Sequence, residues 1–177
     1  MTEASFKADD QASTANIVII ATHGVLPDDS REIFSEPGLI FTPPAIATDM
    51  DDGFLSASEA SHLSLEANLV ILSACNTATH SGSELSALAR SFLYSGARSV
   101  LGSNWRVSDN ATAALTREFL LALQQHPALT RAQAFQEGMR SLRSGRRLDG
   151  SSVPGWSHEF ADPIAWGPFV LISDRDE

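Results

Sequence analysis

The sequence predicts an α/β domain with a largely parallel sheet flanked by helices, and three observations support this class. Short, unbroken apolar runs recur along the 177 residues, as in strands that are buried on both faces of a parallel sheet. Segments with apolar residues at helical spacing lie between several of these runs. The apolar fraction of 43% and the charged fraction of 19% are ordinary for a globular chain and exclude wholesale disorder.

Four apolar runs have the length and composition of buried strands. They cover residues 17–20, 69–72, 99–102 and 169–172. The first run stops at His23 and Gly24, the second ends at Cys75, and the third ends at Asn104 and Trp105. Because the carboxyl ends of parallel strands meet at one edge of a sheet, we expect these residues to border a common crevice.

Three longer segments have the apolar periodicity of helices. The first covers residues 82–94, the second runs from a cap at Ser108 or Asp109 to about residue 125, and the third runs from a Thr130 cap to about residue 142. From the second strand onward, the predicted order is therefore strand, helix, strand, helix, helix, strand.

The segment 25–64 differs from the rest of the chain, because it contains four prolines and an acidic group at Asp49, Asp51 and Asp52. Residues 38–42 predict a short strand within it. Ser56, with Glu59 three residues later, has the spacing of a capping box and predicts a short helix. A long excursion directly after a strand end often borders a functional site.

The charge of the chain excludes some classes of partner. The net charge is −10, from 22 acidic and 12 basic residues, and Lys7 is the single lysine. Such a surface repels phosphate, so we expect neither a nucleic acid nor a membrane as partner. No apolar run reaches the roughly 18 residues of a membrane span.

Residues 1–15 are polar and carry no secretory signal, so they predict a flexible leader before a domain of residues 16–177. The chain has one cysteine, Cys75, which excludes an internal disulfide and a cysteine metal cage, and a cytoplasmic location is expected. The histidines other than His23 show no ligand-pair spacing, so neither a metal nor another cofactor is predicted.

His23 and Cys75 are the candidate catalytic pair. An imidazole beside a thiol is the usual base that converts it into a nucleophilic thiolate. Gly24 lets a substrate backbone approach closely, and its N–H, with that of Cys75, predicts an oxyanion hole. The alternative for Cys75 is a small buried side chain at a strand end.

Four motifs in uninterrupted order over roughly residues 17–173 resemble the CHAT domain family, which is found mainly in bacteria. They are ATHG, DGFLSASEASHLSLEANLVILSACNT, GARSVLGSNWRVSD and DPIAWGPFVLIS. The resemblance implies a caspase-like three-layer sandwich and a cysteine endopeptidase that acts through a Cys-His dyad. Its histidine corresponds to His23 and its cysteine to Cys75, and their separation of 52 residues is similar to that in caspases.

The resemblance also implies partners and a substrate groove. The substrate is a protein or peptide, and family members often accompany tetratricopeptide repeats. The family domain has a longer stretch before its histidine strand. Either the domain is minimal here, or its N-terminal part is missing or is supplied by a separate chain. By analogy with caspases, Asn104, Trp105 and Arg106 line the groove, although the family often has proline where this chain has Arg106. The alternative is that Trp105 packs against the edge of the sheet.

Other functions stay open from the sequence. Two functional roles are open for Asp52 or a neighbouring carboxylate of the acidic group: selection of a basic substrate residue, or binding of calcium. The alternative is that the acidic group is an ordinary solvated loop. One rival function is a catalytically inert signalling or scaffold module of the same fold. A flavodoxin-like ligand-binding protein ranks lower, because the loop after the first strand is acidic and lacks the glycines of a phosphate site.

Overall fold

A mixed sheet carries the residues of the predicted site. In the described part of the chain it has six strands, in the spatial order β3-β2-β1-β4-β5-β6. The strands are β1 (Ile17–Val25), β2 (Gly38–Ile40), β3 (Phe54–Ser56), β4 (Leu69–Cys75), β5 (Ser99–Ser103) and β6 (Phe169–Ser173). Strands β1, β4 and β5 are parallel neighbours, which confirms the predicted α/β class and its parallel central sheet.

The computed structural model describes residues 1–25, 27, 34–48, 50–75, 83–105 and 107–173, with the backbone alone for 74–75 and 83–86. These residues form two compact units. One contains residues up to 105 together with the end of β6 at 172–173, and the other contains residues 107–171.

The helices agree closely with the predicted periodicities. They are α1 (Glu3–Lys7), α2 (Asp10–Thr14), α3 (Ala57–Ser61), α4 (Ser83–Tyr94), α5 (Asp109–Gln125), α6 (Arg131–Ser144) and α7 (Pro163–Trp166), with a 3-10 turn at His158–Ala161. The predicted caps are confirmed at Ser108 and Thr130, and Ser56 and Glu59 form the predicted capping box of α3. These short polar side chains satisfy N–H groups that a helix start leaves unpaired.

Two short antiparallel strands extend the sheet beyond β1. Residues 38–40 form β2, as predicted, and β2 pairs with β1. Strand β3, which pairs with β2, was not predicted, because three residues after an acidic segment give no period to detect. The antiparallel pairing lengthens β1 to Val25, so His23 and Gly24 lie within the strand instead of after it.

The core of the first unit lies against one face of the sheet. Val18, Ile20 and Leu72 from that face pack with Phe6 of α1 and Phe92 of α4.

The exposure of the other face of β1 differs from the sequence prediction. Ile17 and Ile19 are 37% and 49% exposed, so β1 is not buried on both faces as expected. An unbroken apolar run does not report how many of its faces a neighbouring layer covers, because each face takes alternate residues.

Residues 1–15 also differ from the expected flexible leader, since they form α1 and α2. The Thr2 and Asp9 side chains cap the two helices, and Phe6 is buried in the core. The Glu3 carboxylate, also buried, accepts the Asp52 and Gly53 amides at 3.1 and 3.0 Å. Sequence patterning misses such an anchor, because one aromatic residue and one carboxylate make no periodic pattern.

The second unit is built on the packing of α5 against α6. The rings of Phe119 and Phe135 meet edge to face at 5.6 Å, and the buried Glu118 carboxylate binds Arg147 through both oxygens, at 2.7 and 3.0 Å. Among the described helices of the chain, none has the length and apolarity needed to cross a bilayer.

Candidate active site

His23 and Cys75 are register partners on the adjacent parallel strands β1 and β4. They form the last of seven consecutive residue pairs between the two strands, of which Ile17 with Leu69 is the first. Both residues therefore stand at the same level of the sheet, near the carboxyl ends of their strands, where α/β proteins usually place their functional groups. The His23 side chain is exposed, on the same face of β1 as Ile19.

The backbone of Gly24 is directed toward β4. The Phe41 amide donates to the Gly53 carbonyl at 2.8 Å, so Phe41, which follows β2, turns its polar groups toward the β3 side. Backbone groups alternate in direction along a strand, so Ile40 faces β1. The backbone N–H and C=O of His23, opposite Ile40, are therefore directed toward β2. Those of the next residue, Gly24, are directed toward β4, the strand that carries the cysteine.

A side-chain hydrogen bond ties β1 to β2 beside His23. The Thr22 hydroxyl donates to the carbonyl of Ile40, which is the register partner of His23. Sequence reasoning missed Thr22 as a functional candidate. The only signal was its place directly before the His-Gly pair, and no pattern in the sequence indicates β2 as its partner.

Strand β5 brings Asn104 and Trp105 to the opposite flank of β4. Because Ile71 is level with Leu101, the register continues to place Ser103, the last residue of β5, level with Ser73. Trp105 follows two residues later and is 44% exposed, and Asn104 is half-buried. Arg106, the third predicted groove residue, lies outside the described residues.

Asp52 stands apart from this edge of the sheet. Strand β3 runs in the same direction as β1, because both are antiparallel to β2, and Asp52 precedes β3 at its amino end. The Asp52 carboxylate accepts the Phe54 amide at 2.8 Å. The structure does not bring Asp52 together with His23 and Cys75, and Asp49 lies outside the described residues.

The single lysine anchors the segment next to Asp52. Lys7 pairs with Glu3 and donates to the Glu59 carboxylate at 2.8 Å and to the Met50 carbonyl at 3.3 Å. Burial by itself would raise the pKa of Glu59, but the hydrogen bonds from Lys7 and Ser56 outweigh it and lower that pKa. The charges here hold the fold of the loop together.

Within the described ranges, no three His, Cys, Asp or Glu side chains come close enough to hold a metal ion. The chemistry that the described site offers is that of an imidazole and a cysteine position in register with it.

The sheet and the paired positions of His23 and Cys75 define the class as an α/β protein of the caspase-like kind. The family model described as CHAT domain matches residues 1–174. The chain therefore belongs to the CHAT domain family, which is related to cysteine peptidases. A comparison with curated proteins gives no match.

Proposed function

We propose that this chain is a cysteine endopeptidase that hydrolyses peptide bonds of a protein or peptide substrate. The observation that carries the proposal is the register pairing of His23 with Cys75 across two adjacent parallel strands. Two residues opposite one another in a sheet have Cα atoms only about 5 Å apart, so an imidazole and a thiol at these positions are close enough to exchange a proton.

The proposed reaction uses these two side chains in both halves. The His23 imidazole takes the proton of the Cys75 thiol, and the thiolate attacks the carbonyl carbon of the peptide bond. When the C–N bond breaks, the imidazolium gives that proton to the departing amine and leaves a thioester on Cys75. Water, deprotonated by His23, then attacks the thioester and releases the acid and the thiol.

Backbone amides stabilise the oxyanion in this proposal. We propose the N–H groups of Gly24 and Cys75 as the two donors, because they adjoin the two proposed catalytic side chains. Such donors act where negative charge develops during the reaction, and each contributes about 3 kcal/mol to the transition state. Asn104 and Trp105 line the groove on the β5 side, and Arg106 belongs to the same proposed groove.

The experiment that tests the proposal is the rate of alkylation of Cys75 against pH, in the native chain and in His23→Ala. Because the chain has one thiol, the signal has a single source. We expect a rate near neutral pH at least tenfold above that of a free thiol, whose pKa is about 8.5, and we expect His23→Ala to remove the excess.

The matched control is His62→Ala, since His62 is also exposed but its Nδ1 lies 2.8 Å from the Ser58 carbonyl in α3. This variant should keep the native rate. An ordinary thiol rate that is the same in the native chain and in His23→Ala would contradict the proposal and favour a catalytically inert CHAT module.

A further inference from the structure

Three apolar side chains flank His23 on the side away from the cysteine strand. They are Ile40 of β2, Phe54 of β3 and Phe34, which precedes β2, and each is half-buried. The rings of Phe34 and Phe54 are in contact, with centroids 4.4 Å apart. We call these three side chains the apolar shelf.

The apolar shelf lies on the same face of the sheet as His23. Ile40 is opposite His23, and Phe54 is opposite Ile40, and residues that are opposite one another in a sheet share a face. The Phe54 ring also lies across β2 at Gly38, where an added Cβ would come within 2.4 Å of the ring. Gly38 is level with Val25, so the ring extends to the level of the carboxyl end of β1.

We propose that the apolar shelf binds an apolar side chain in the first or second residue after the scissile bond. This inference rests on the proposed peptidase function. In that reaction the cysteine bonds to the acyl half of the substrate, whereas the histidine gives its proton to the departing amine. The amine half of the substrate therefore lies on the histidine side of the pair.

The order of strands fixes which residues meet that half. Strand β4, with Cys75, lies on one side of β1, and β2 lies on the other. Trp105, beyond β5, is on the acyl side, and the apolar shelf is on the amine side. Half-buried aromatic rings leave apolar surface that a leucine-sized or aromatic substrate side chain can cover, and removal of that surface from water favours binding.

The test is cleavage of a mixed peptide library, with the cut sites read by mass spectrometry. Cuts that are absent in Cys75→Ala are those of the proposed peptidase. We expect apolar residues to be enriched in the first two positions after these cuts. For single peptides, exchange of that apolar residue for serine should lower kcat/KM about tenfold.

The variant Phe34→Ala should reduce this tenfold preference to less than about threefold and leave the residues selected before the cut unchanged. Phe41→Ala is the matched control, because Phe41 is also half-buried but packs against Phe6 on the other face of the sheet. It should keep the preference. If Phe34→Ala does not fold, Phe34→Leu should still weaken the preference, because it removes the ring contact with Phe54.

The outcomes of this test bear separately on the apolar shelf and on the peptidase proposal. Cys75-dependent cuts without an apolar preference after them would overturn the role of the apolar shelf and leave the peptidase proposal intact. A preference that persists in both Phe34 variants would also overturn that role. No Cys75-dependent cut at all would overturn both the peptidase proposal and the subsite.

Discussion

The hydroxyl of Thr22 donates a hydrogen bond to the carbonyl of Ile40, the residue directly opposite His23. This bond holds β2 against β1 at the level of the proposed dyad. It links the position of His23 to that of the apolar shelf, since Ile40 belongs to the shelf.

We expect Thr22→Val, which keeps the shape but removes the donor, to lower the rate of Cys75 alkylation at neutral pH about fivefold. A lost hydrogen bond costs about 1 kcal/mol. If this whole cost falls on the placement of His23 beside the thiol, it corresponds to a factor of about five in the alkylation rate. Thr22→Ser should recover most of the rate. Loss of thermal stability without a change in the rate would show that the bond is only structural.

The N-terminal helix offers a test of whether residues 1–15 belong to the folded domain. Phe6 is 7% exposed and its ring lies 5.3 Å from that of Phe41. Truncation of a buried phenylalanine costs about 3–5 kcal/mol, so Phe6→Ala should lower the free energy of unfolding in urea by an amount in that range. A change below about 0.5 kcal/mol would instead indicate the flexible leader that the sequence predicts.

Two arginines of the second unit should differ strongly in their contribution to stability. Arg147 binds both oxygens of Glu118, whose side chain is 1% exposed, whereas Arg140 pairs with Glu137 at 2.7 Å with half of its own side chain exposed. Arg147→Ala leaves a buried carboxylate short of a partner and should cost about 2–4 kcal/mol. Arg140→Ala should cost less than about 1 kcal/mol, and equal losses in urea unfolding would contradict this account.

The same carboxylate predicts a loss of stability in acid. Burial alone would raise the pKa of Glu118, but the hydrogen bonds from Arg147 and Arg117 lower it below its ordinary value of 4.5. A lowered pKa in the folded state stabilises the fold fully above pH 4.5, and this contribution disappears as the pH falls through the lowered pKa. The measurement is the urea midpoint from pH 7 to pH 3.

The control for this pH dependence is Glu118→Gln, which cannot ionise. The native chain should be more stable than the variant at neutral pH, and the difference should shrink in acid. A difference that is independent of pH would contradict the assigned role of the charge.

Two glycines with positive φ allow the cost of backbone strain to be measured separately from the cost of a side-chain clash. Gly145 ends α6 with a φ of +70°, and a Cβ there would lie 2.9 Å from the Trp156 ring. Gly150 has a φ of +82° with no atom within 4 Å of such a Cβ. Gly150→Ala should cost about 1–2 kcal/mol from strain alone, and Gly145→Ala about 1–3 kcal/mol more.

Thermal melts followed by tryptophan fluorescence measure both glycine variants. Trp156 reports on Gly145 directly, because its indole N–H donates to the Leu142 carbonyl at 2.6 Å in the same turn of α6. Equal losses in the two variants would show that the Trp156 ring moves aside without cost.

Local patterns in the sequence determined the elements that frame the site. The strands ending near His23 and Cys75, the helix caps at Ser108 and Thr130, and the capping box at Ser56 are each specified by a few neighbouring residues. The sequence also predicted that the strands of His23 and Cys75 are adjacent, because strands rich in apolar residues occupy the centre of a sheet.

The tertiary structure alone decided what surrounds the proposed dyad. Strand β3, the exposure of Ile19 and the burial of Phe6 depend on which layer covers which face, and a single segment carries no record of that. The bond from Thr22 to Ile40 and the contact between Phe34 and Phe54 join residues 18 and 20 positions apart. Contacts of this kind arise only when β2 and β3 fold back beside β1, so the sequence predicts the proposed dyad but not the apolar shelf beside it.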